Sequence, residues 1–223
     1  MAELIAGLRA ERVRANLDYV LEEIAGACTG AGRDAGEVEV LAATKYVSVE
    51  DLPALAQAGV RLAGENRAQD LQAKVAAHGE LFEWDFIGQL QSRKVRVIVP
   101  HVRLIHSVAS DSVLRELARL HAQARPGLEI LIEVNVAGEP GKPGISPGEL
   151  DGFIERSPVP VAGLMTMPPY ATDPEDSRRW FRALRELADE RGLKRLSMGT
   201  SQDYRVAVQE GASIVRIGTR LYD

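Results

Sequence analysis

Hydrophobic and polar residues alternate along the chain in blocks of two kinds. From residue 2 to about residue 28, apolar side chains recur every three or four residues, a spacing typical of one amphipathic helix. After residue 37, short runs of β-branched and apolar residues are separated by helical patterns. The runs predicted as strands are 38–45, 61–66, 84–90, 104–108, 128–136, 161–165, 195–198 and 213–218.

The segments between these runs carry helix start and stop signals. Ser48 caps and Gly59 closes the first segment, whereas Asp173 followed by Pro174 opens the clearest one, which ends at Gly192. Further helices are predicted at 67–78, 91–99, 110–120, 146–154 and 202–210. Successive strands are therefore separated by a helix, and this alternation indicates parallel strands joined by helical crossovers.

Parallel strands in this number and order predict a closed (β/α)8 TIM barrel, one α/β domain spanning residues 1–223. An extra N-terminal helix, within residues 1–30, precedes the first strand, and we expect it to pack on the barrel. The alternative is an open doubly wound sheet. Because no glycine-rich dinucleotide fingerprint follows the first strand, the barrel is favoured.

Composition narrows the classes of function. The chain has 223 residues, 45% hydrophobic and 26% charged, as in an ordinary folded domain. A net charge of −5 disfavours a broad surface for nucleic acid or anionic membrane. The single cysteine, Cys28, cannot form an internal disulfide, and the N-terminal residues provide no targeting or membrane-spanning run. We therefore expect a cytoplasmic protein that binds neither nucleic acid nor membrane.

Lys45 ends the first predicted strand, at the end of the barrel where functional groups collect. A lysine at the mouth of an apolar barrel loses hydration, so its neutral amine can attack a carbonyl; the alternative is a lysine that snorkels at the rim. Gly-Thr turns at 197–201 and 216–219 follow the last two strands, where barrels build phosphate sites, although each turn alone is ordinary turn chemistry. A Schiff-base lysine facing a phosphate cradle is the minimal equipment for pyridoxal phosphate.

Arg216 ends the eighth predicted strand, where it would either reach the pyridine nitrogen of that cofactor or form a salt bridge with Glu65 or Asp203. Arginine supplies only donors, so the first contact would keep the nitrogen unprotonated and weaken the ring as an electron sink. His106 is predicted to be a hydrogen-bonded core residue, and no metal site is predicted. The loop 138–144 is either a lid over the mouth or a plain solvated loop.

Blocks of sequence from about residue 37 to the end also match a known family. They are Ala43-Thr-Lys45, Gly64-Glu-Asn-Arg67, Phe86-Ile-Gly-Gln-Leu-Gln91, His106-Ser-Val108, Gly163-Leu-Met165, Leu196-Ser-Met-Gly-Thr-Ser201 and Val215-Arg-Ile-Gly218. These blocks resemble the YggS/PROSC family of pyridoxal phosphate homeostasis proteins. The resemblance implies a type III fold, the barrel of alanine racemase without its second domain. We expect that domain to be absent because the chain ends five residues after Gly218.

The resemblance also implies roles for individual residues. Lys45 would form the internal aldimine with pyridoxal 5'-phosphate, and Arg216 would face the pyridine nitrogen. The other implied cofactor-binding residues are Asn66 and Met198 at the ring, and Thr200, Ser201, Gly218 and Thr219 at or near the phosphate. The chain departs from the family pattern at Tyr46, at Thr200 and at its last three residues. Asp85 stands where the family often has histidine, and we expect it to change the charge of the mouth.

The function implied by the resemblance is to hold pyridoxal phosphate and help regulate its intracellular level, without robust catalytic activity. Its predicted partners are the cofactor itself and enzymes that depend on it, and a monomer is favoured over a dimer. One alternative is a pyridoxal-phosphate-dependent racemase or a Schiff-base lyase of the same fold, in which Tyr46, Tyr170 or Tyr204 would supply the missing proton-transfer group. Another is a protein whose surface contacts matter more than its pocket.

Overall fold

The computed structural model describes residues 5–223 as a closed barrel of eight parallel strands in sequence order. The strands are β1 (Glu39–Ala43), β2 (Leu62–Glu65), β3 (Glu83–Phe86), β4 (Leu104–Val108), β5 (Glu129–Glu133), β6 (Val161–Met165), β7 (Arg195–Thr200) and β8 (Ile214–Ile217). Pairing of β8 with β1 closes the ring, so every described strand has a neighbour on both sides. The predicted TIM barrel is therefore confirmed, and the open sheet is excluded.

Helices alternate with the strands along the chain. They are α1 (Ala10–Ala31), α2 (Leu52–Gln57), α3 (Ala68–His78), α4 (Val95–Ile98), α5 (Asp111–Leu120), α6 (Leu150–Glu155), α7 (Arg178–Asp189), α8 (Tyr204–Gln209) and α9 (Thr219–Tyr222). Helix α5 begins after Ser110, whose hydroxyl accepts a hydrogen bond from the amide of Val113, and it buries Leu114 and Leu117 on one face. The sequence pattern does not predict α9, because four residues are too few to show a helical period.

Alternate residues of each strand point into the barrel, as the pleat requires. An apolar cluster fills the interior and comprises Leu41, Leu62, Leu104, Leu131, Met165 and Ile214. A second and larger cluster packs strand residues together with residues of the helices. Among the interior positions, however, Asp85, His106, Ser197 and Arg216 are polar and buried. The barrel interior therefore combines an apolar cluster with a set of buried polar side chains.

The first helix begins later than the sequence predicts. Helix α1 starts at Ala10, and residues 1–4 lie outside the described part of the chain. Ile5 pairs with Val47 in a β-bridge, and Gly7 adopts a left-handed φ of 74°, so a continuous helix cannot pass through them. Helix α1 packs against α2, α8 and α9. Between residues 5 and 223, no helix combines the length and the apolar character needed to cross a bilayer.

Candidate functional site

A cavity of about 530 Å³ opens at the carboxyl ends of the strands. This volume lies within the range of roughly 300–1,000 Å³ that is usual for small-molecule sites. Seven of the eight residues predicted to bind a cofactor line the cavity, namely Lys45, Asn66, Thr200, Ser201, Arg216, Gly218 and Thr219. The turns after β1, β7 and β8 therefore contribute to one site.

Met198 is the predicted residue that lies elsewhere. It is completely buried in the cluster that packs strands with helices, and it does not line the cavity. Its neighbour Ser197 points into the barrel, where it contacts His106 and Arg216. Successive residues of a strand point to opposite faces, so Met198 must face the helices. Met198 therefore lies outside the cavity lining, to which Met165 and Met167 contribute.

Lys45 lies in the turn after β1, two residues beyond the end of the strand. The residue is exposed, and its Nζ lies 4.7 Å from the centroid of the Tyr46 ring, within range of a cation–π contact. The expected loss of hydration is therefore wrong, because the turn carries the side chain past the apolar interior to the rim. Both cavity and solvent remain within reach of the amine.

A buried ion pair supports the backbone behind Lys45. Lys74 of α3 donates to the Glu65 carboxylate at 2.5 Å and to the backbone carbonyl of Thr44 at 2.7 Å. The Thr44 hydroxyl donates to the same carboxylate at 2.8 Å, and the amide of Asn66 donates to its second oxygen at 2.9 Å. Both ionic side chains are almost wholly buried. These contacts tie the ends of β1 and β2 together and fix the backbone that presents Lys45 and Asn66.

The Arg216 guanidinium is buried and lines the inner part of the cavity. It donates to the carbonyl and hydroxyl of Ser197 at 2.8 and 2.5 Å, and to the carbonyl of Thr166 at 3.0 Å. Burial lowers the pKa of Arg216 to about 10, although the charges of Asp203 and Glu133 oppose this effect, so the side chain is a cation at neutral pH. Within residues 5–223 it forms no salt bridge, and the alternative of a strand-end ion pair is wrong.

Two further titratable residues line the cavity. Glu133, at the end of β5, is buried, and this burial raises its pKa while the charge of Arg216 acts in the opposite direction. The Tyr222 hydroxyl donates to the carbonyl of Ala43 at 3.2 Å, and burial raises its pKa. Glu133 lies inside the predicted run 128–136, and an acidic residue between apolar neighbours was a usable signal for it. Tyr222 left no such signal, because its helix is too short to be read from the sequence.

Strand β7 bends near its carboxyl end at Gly199, whose φ is 89°. A Cβ at this position would lie 2.5 Å from the Cβ of Ala207, so both the backbone conformation and the space require glycine. The bend brings the Ser201 hydroxyl oxygen to 3.1 Å from the amide of Gly218, which donates to it. The hydroxyl groups of Ser201 and Thr219 therefore share one corner of the cavity, an arrangement that can donate to an anion.

Asp85 lies inside the barrel rather than at its mouth. It is completely buried, accepts a hydrogen bond from Arg103 at 2.9 Å, and lies 3.1 Å from Nε2 of His106. The expected change in the charge of the mouth is therefore wrong, because the pleat of β3 directs this side chain toward the barrel interior. His106 is a buried, hydrogen-bonded core residue, as predicted.

Of the three tyrosines considered as acid–base groups, Tyr46 lines the cavity. Tyr170 is 78% exposed, whereas the Tyr204 hydroxyl is held by the Glu23 carboxylate of α1. The loop 138–144 reaches the mouth through Pro143, which lines the cavity. In the part of the chain that the structure describes, no group of three or more His, Cys, Asp or Glu side chains is placed to hold a metal ion.

Sequence comparisons relate this chain to known proteins. The family model for the alanine racemase N-terminal domain matches residues 36–223. A pyridoxal phosphate homeostasis protein of Aquifex aeolicus is 42% identical, with 92% of this chain and 95% of that protein covered. The protein of the same name from Escherichia coli is 33% identical, with 93% and 94% covered.

Solved structures of other proteins are also similar to this chain. An unknown protein from Bifidobacterium adolescentis superposes with a TM-score of 0.88 at 32% identity, covering 99% of this chain and 98% of its own. PipY of Synechococcus elongatus, solved with pyridoxal phosphate bound, has a TM-score of 0.73 at 29% identity, with 90% and 100% covered. A lysine/ornithine decarboxylase from Vibrio vulnificus, at 14% identity and a TM-score of 0.67, shares the fold over 96% of this chain and 62% of its own.

Proposed function

The chain belongs to the pyridoxal phosphate homeostasis protein family, and on that premise we propose that its cavity holds pyridoxal 5'-phosphate and that the protein helps to regulate the level of this cofactor. The observation that carries the proposal is the gathering of Lys45, Arg216 and two Gly-Thr turns around one cavity. The structure of PipY with pyridoxal phosphate bound supports it. The proposed binding residues are the seven predicted residues that line the cavity.

The side chains around the cavity fit this cofactor in three respects. Ser201 and Thr219 supply hydroxyl donors at one corner, which suits a phosphate monoester. Oδ1 of Asn66 is buried and has no hydrogen-bond partner within residues 5–223, and a buried polar atom of this kind calls for a partner from a ligand. Lys45 presents a primary amine at the rim, as an aldehyde requires.

Pyridoxal phosphate supplies an aldehyde that a primary amine converts to an imine with loss of water. Lys45 and Lys74 both lie at this end of the barrel, and their environments differ. The amine of Lys74 is buried and bonded to Glu65 and Thr44, so its lone pair is not available to a carbonyl. Lys45 is exposed at the rim, and its backbone is fixed by that same ion pair. We therefore assign the covalent attachment to Lys45.

Arg216 is the proposed partner of the pyridine nitrogen. A guanidinium has donors and no acceptor, so it stabilises an unprotonated nitrogen and does not supply it with a proton. A ring held in this state withdraws electrons poorly from a substrate carbanion. The arrangement therefore favours retention of the cofactor over the chemistry of transamination or racemisation.

We further propose that the protein lacks robust catalytic activity. A two-base racemase needs a second proton-transfer group on the opposite face of its bound substrate. Tyr204 is held by Glu23 and Tyr170 is exposed, so neither is placed for this role, and the exposed rim at Lys45 admits water. Enzymes that depend on pyridoxal phosphate are the proposed recipients. We propose a monomer in the cytoplasm, a compartment that suits the free thiol of Cys28.

The test is the visible absorbance of the purified protein after addition of pyridoxal phosphate. We expect an imine band that is absent from Lys45→Ala and retained in Lys194→Ala, which removes an exposed lysine remote from the cavity lining. The same loaded protein is incubated with L- and D-alanine, and no change of chirality is expected. Absence of the band would contradict cofactor binding. Racemisation that disappears in Tyr46→Phe would contradict the non-catalytic role.

A further inference from the structure

Hydrogen-bonded side chains form a continuous column through the barrel interior, beginning at the cavity. Arg216 donates to the Ser197 hydroxyl at 2.5 Å, and the same hydroxyl lies 2.8 Å from Nδ1 of His106. Nε2 of His106 lies 3.1 Å from the Asp85 carboxylate, which accepts from Arg103 at 2.9 Å. We call these five residues the polar column. Its three middle members are completely buried, so each depends on its neighbours for hydrogen bonds.

The donors and acceptors of the column agree in one arrangement. Arg216 carries only donors, so the Ser197 oxygen accepts from it. The hydrogen of that hydroxyl is then donated to Nδ1 of His106, which must be unprotonated. The neutral ring therefore carries its proton on Nε2 and donates it to the Asp85 carboxylate. Arg103 also donates to this carboxylate, so every contact in the column joins one donor to one acceptor.

Other protonation states of His106 conflict with its surroundings. A proton on Nδ1 alone would leave the bare Nε2 facing the Asp85 carboxylate, and two acceptors repel each other at 3.1 Å. A doubly protonated ring would add a second cation close to Arg216 in a site without solvent. Burial lowers the pKa of His106, the Asp85 carboxylate opposes this effect, and the charges of Arg216 and Arg103 reinforce it.

We propose that Asp85 and His106 are positioning residues that act on the cavity through Ser197 and Arg216. Asp85 selects the tautomer of His106, the tautomer orients the Ser197 hydroxyl, and the oxygen of that hydroxyl helps to fix the guanidinium. The identity of the ligand that Arg216 meets rests on the proposed function. The orientation of the polar column is a property of the protein without ligand and can be measured separately.

The expected consequence is a guanidinium that cannot rotate. One of its terminal nitrogens is held by the carbonyl and hydroxyl of Ser197, and the other by the carbonyl of Thr166. Ser197→Ala removes one of these acceptors and leaves Nδ1 of His106 without its donor. The lost hydrogen bond is made to a charged group, the Arg216 guanidinium. We therefore expect about tenfold weaker binding of a ligand that contacts Arg216.

The first experiment uses the ligand-free protein labelled with 15N at histidine and arginine. Long-range 1H–15N spectra at pH 7 should show His106 protonated at Nε2 and bare at Nδ1, with His106→Gln assigning the signals among the four histidines. Asp85→Asn should alter these ring shifts. Glu39→Gln removes the other carboxylate of Arg103 and does not touch His106, so it should leave them unchanged. A proton on Nδ1, or equal effects of the two variants, would overturn the proposal.

The second experiment compares Ser197→Ala with Ser177→Ala, which removes a buried serine hydroxyl outside the polar column. In the ligand-free protein, separate signals from the terminal nitrogens of Arg216 should be resolved in Ser177→Ala and merged by faster rotation in Ser197→Ala. In titrations with pyridoxal phosphate, Ser197→Ala should bind about tenfold more weakly and show a displaced absorbance maximum. Wild-type behaviour of Ser197→Ala in both measurements would refute the positioning role. Failure of the wild-type protein to bind, with the column intact by NMR, would refute only the proposed function.

Discussion

Replacing Lys74 by methionine tests how strongly the buried ion pair behind the cavity supports the fold. Methionine keeps most of the length and apolar stem of lysine but removes the ammonium group. The Glu65 carboxylate, whose side chain has no exposed area, then loses its counter-ion. The hydroxyl of Thr44 and the amide of Asn66 continue to donate to it. The carbonyl of Thr44 loses one of its two donors and keeps the amide of Val47.

The expected cost is large relative to the stability of a single domain. Removing one partner of a buried pair costs about 3–5 kcal/mol, because an uncompensated charge remains in a poorly solvated site. Domains of this kind unfold with a total free energy of roughly 5–15 kcal/mol. Lys74→Met should therefore remove a substantial fraction of the total.

Urea unfolding at pH 7, followed by circular dichroism, measures this loss. Lys194→Met serves as the matched control, because it makes the same substitution at an exposed residue, and its effect should stay within about 0.5 kcal/mol. The double variant Lys74→Met/Glu65→Gln removes both charges and should recover part of the loss, since no buried charge is left unpaired. A loss below about 1 kcal/mol for Lys74→Met, equal to that of an exposed ion pair, would show that the buried pair does not support the fold.

Two other substitutions test the packing of the barrel and the charge of its cavity. Gly163→Ala should destabilise the protein severely, because the new Cβ would lie 1.8 Å from the backbone oxygen of Arg195. Gly148→Ala, at a position with open space around it, should have little effect. Equal urea midpoints for the two variants would contradict this prediction. Glu133→Gln should raise the melting temperature at pH 7. Burial raises the pKa of Glu133 above its value in the unfolded chain, so protonation of Glu133 stabilises the native state. This stabilisation is lost as the pH rises through the pKa of the folded protein. The difference in melting temperature between Glu133→Gln and the wild-type protein should therefore shrink toward pH 4. A difference that grows on acidification would contradict this prediction.

The strand pattern of the barrel could be predicted closely because each run is bounded by turn residues. For β4 and β6 the predicted and observed bounds coincide. The run 84–90 extends beyond β3, which ends at Phe86, because the following apolar residues belong to the loop that carries Ile87 into the cavity wall. Apolar composition alone does not separate a strand end from a buried loop.

Side-chain direction was the part of the site that the sequence could not settle. Strands of a parallel barrel are buried on both faces, so their residues read as continuous apolar runs without a polar face to set the phase. The strand pattern therefore gave no independent check on Met198, which the family resemblance placed at the ring and which lies outside the cavity lining; its neighbour Ser197 is the residue that points inward. Local sequence patterns also cannot predict which charged residues of different elements form ion pairs. The buried pair between Lys74 of α3 and Glu65 of β2 is an example.

The proposed function depends on one lysine at the barrel rim, Lys45, as the residue that carries the cofactor. Borohydride reduction of the protein in the presence of pyridoxal 5'-phosphate, followed by digestion and peptide mass spectrometry, tests it directly, because reduction converts the imine to a stable amine. We expect a pyridoxyl group at stoichiometric level on the peptide that contains Lys45. A label spread over several exposed lysines, or concentrated on a lysine other than Lys45, would contradict it.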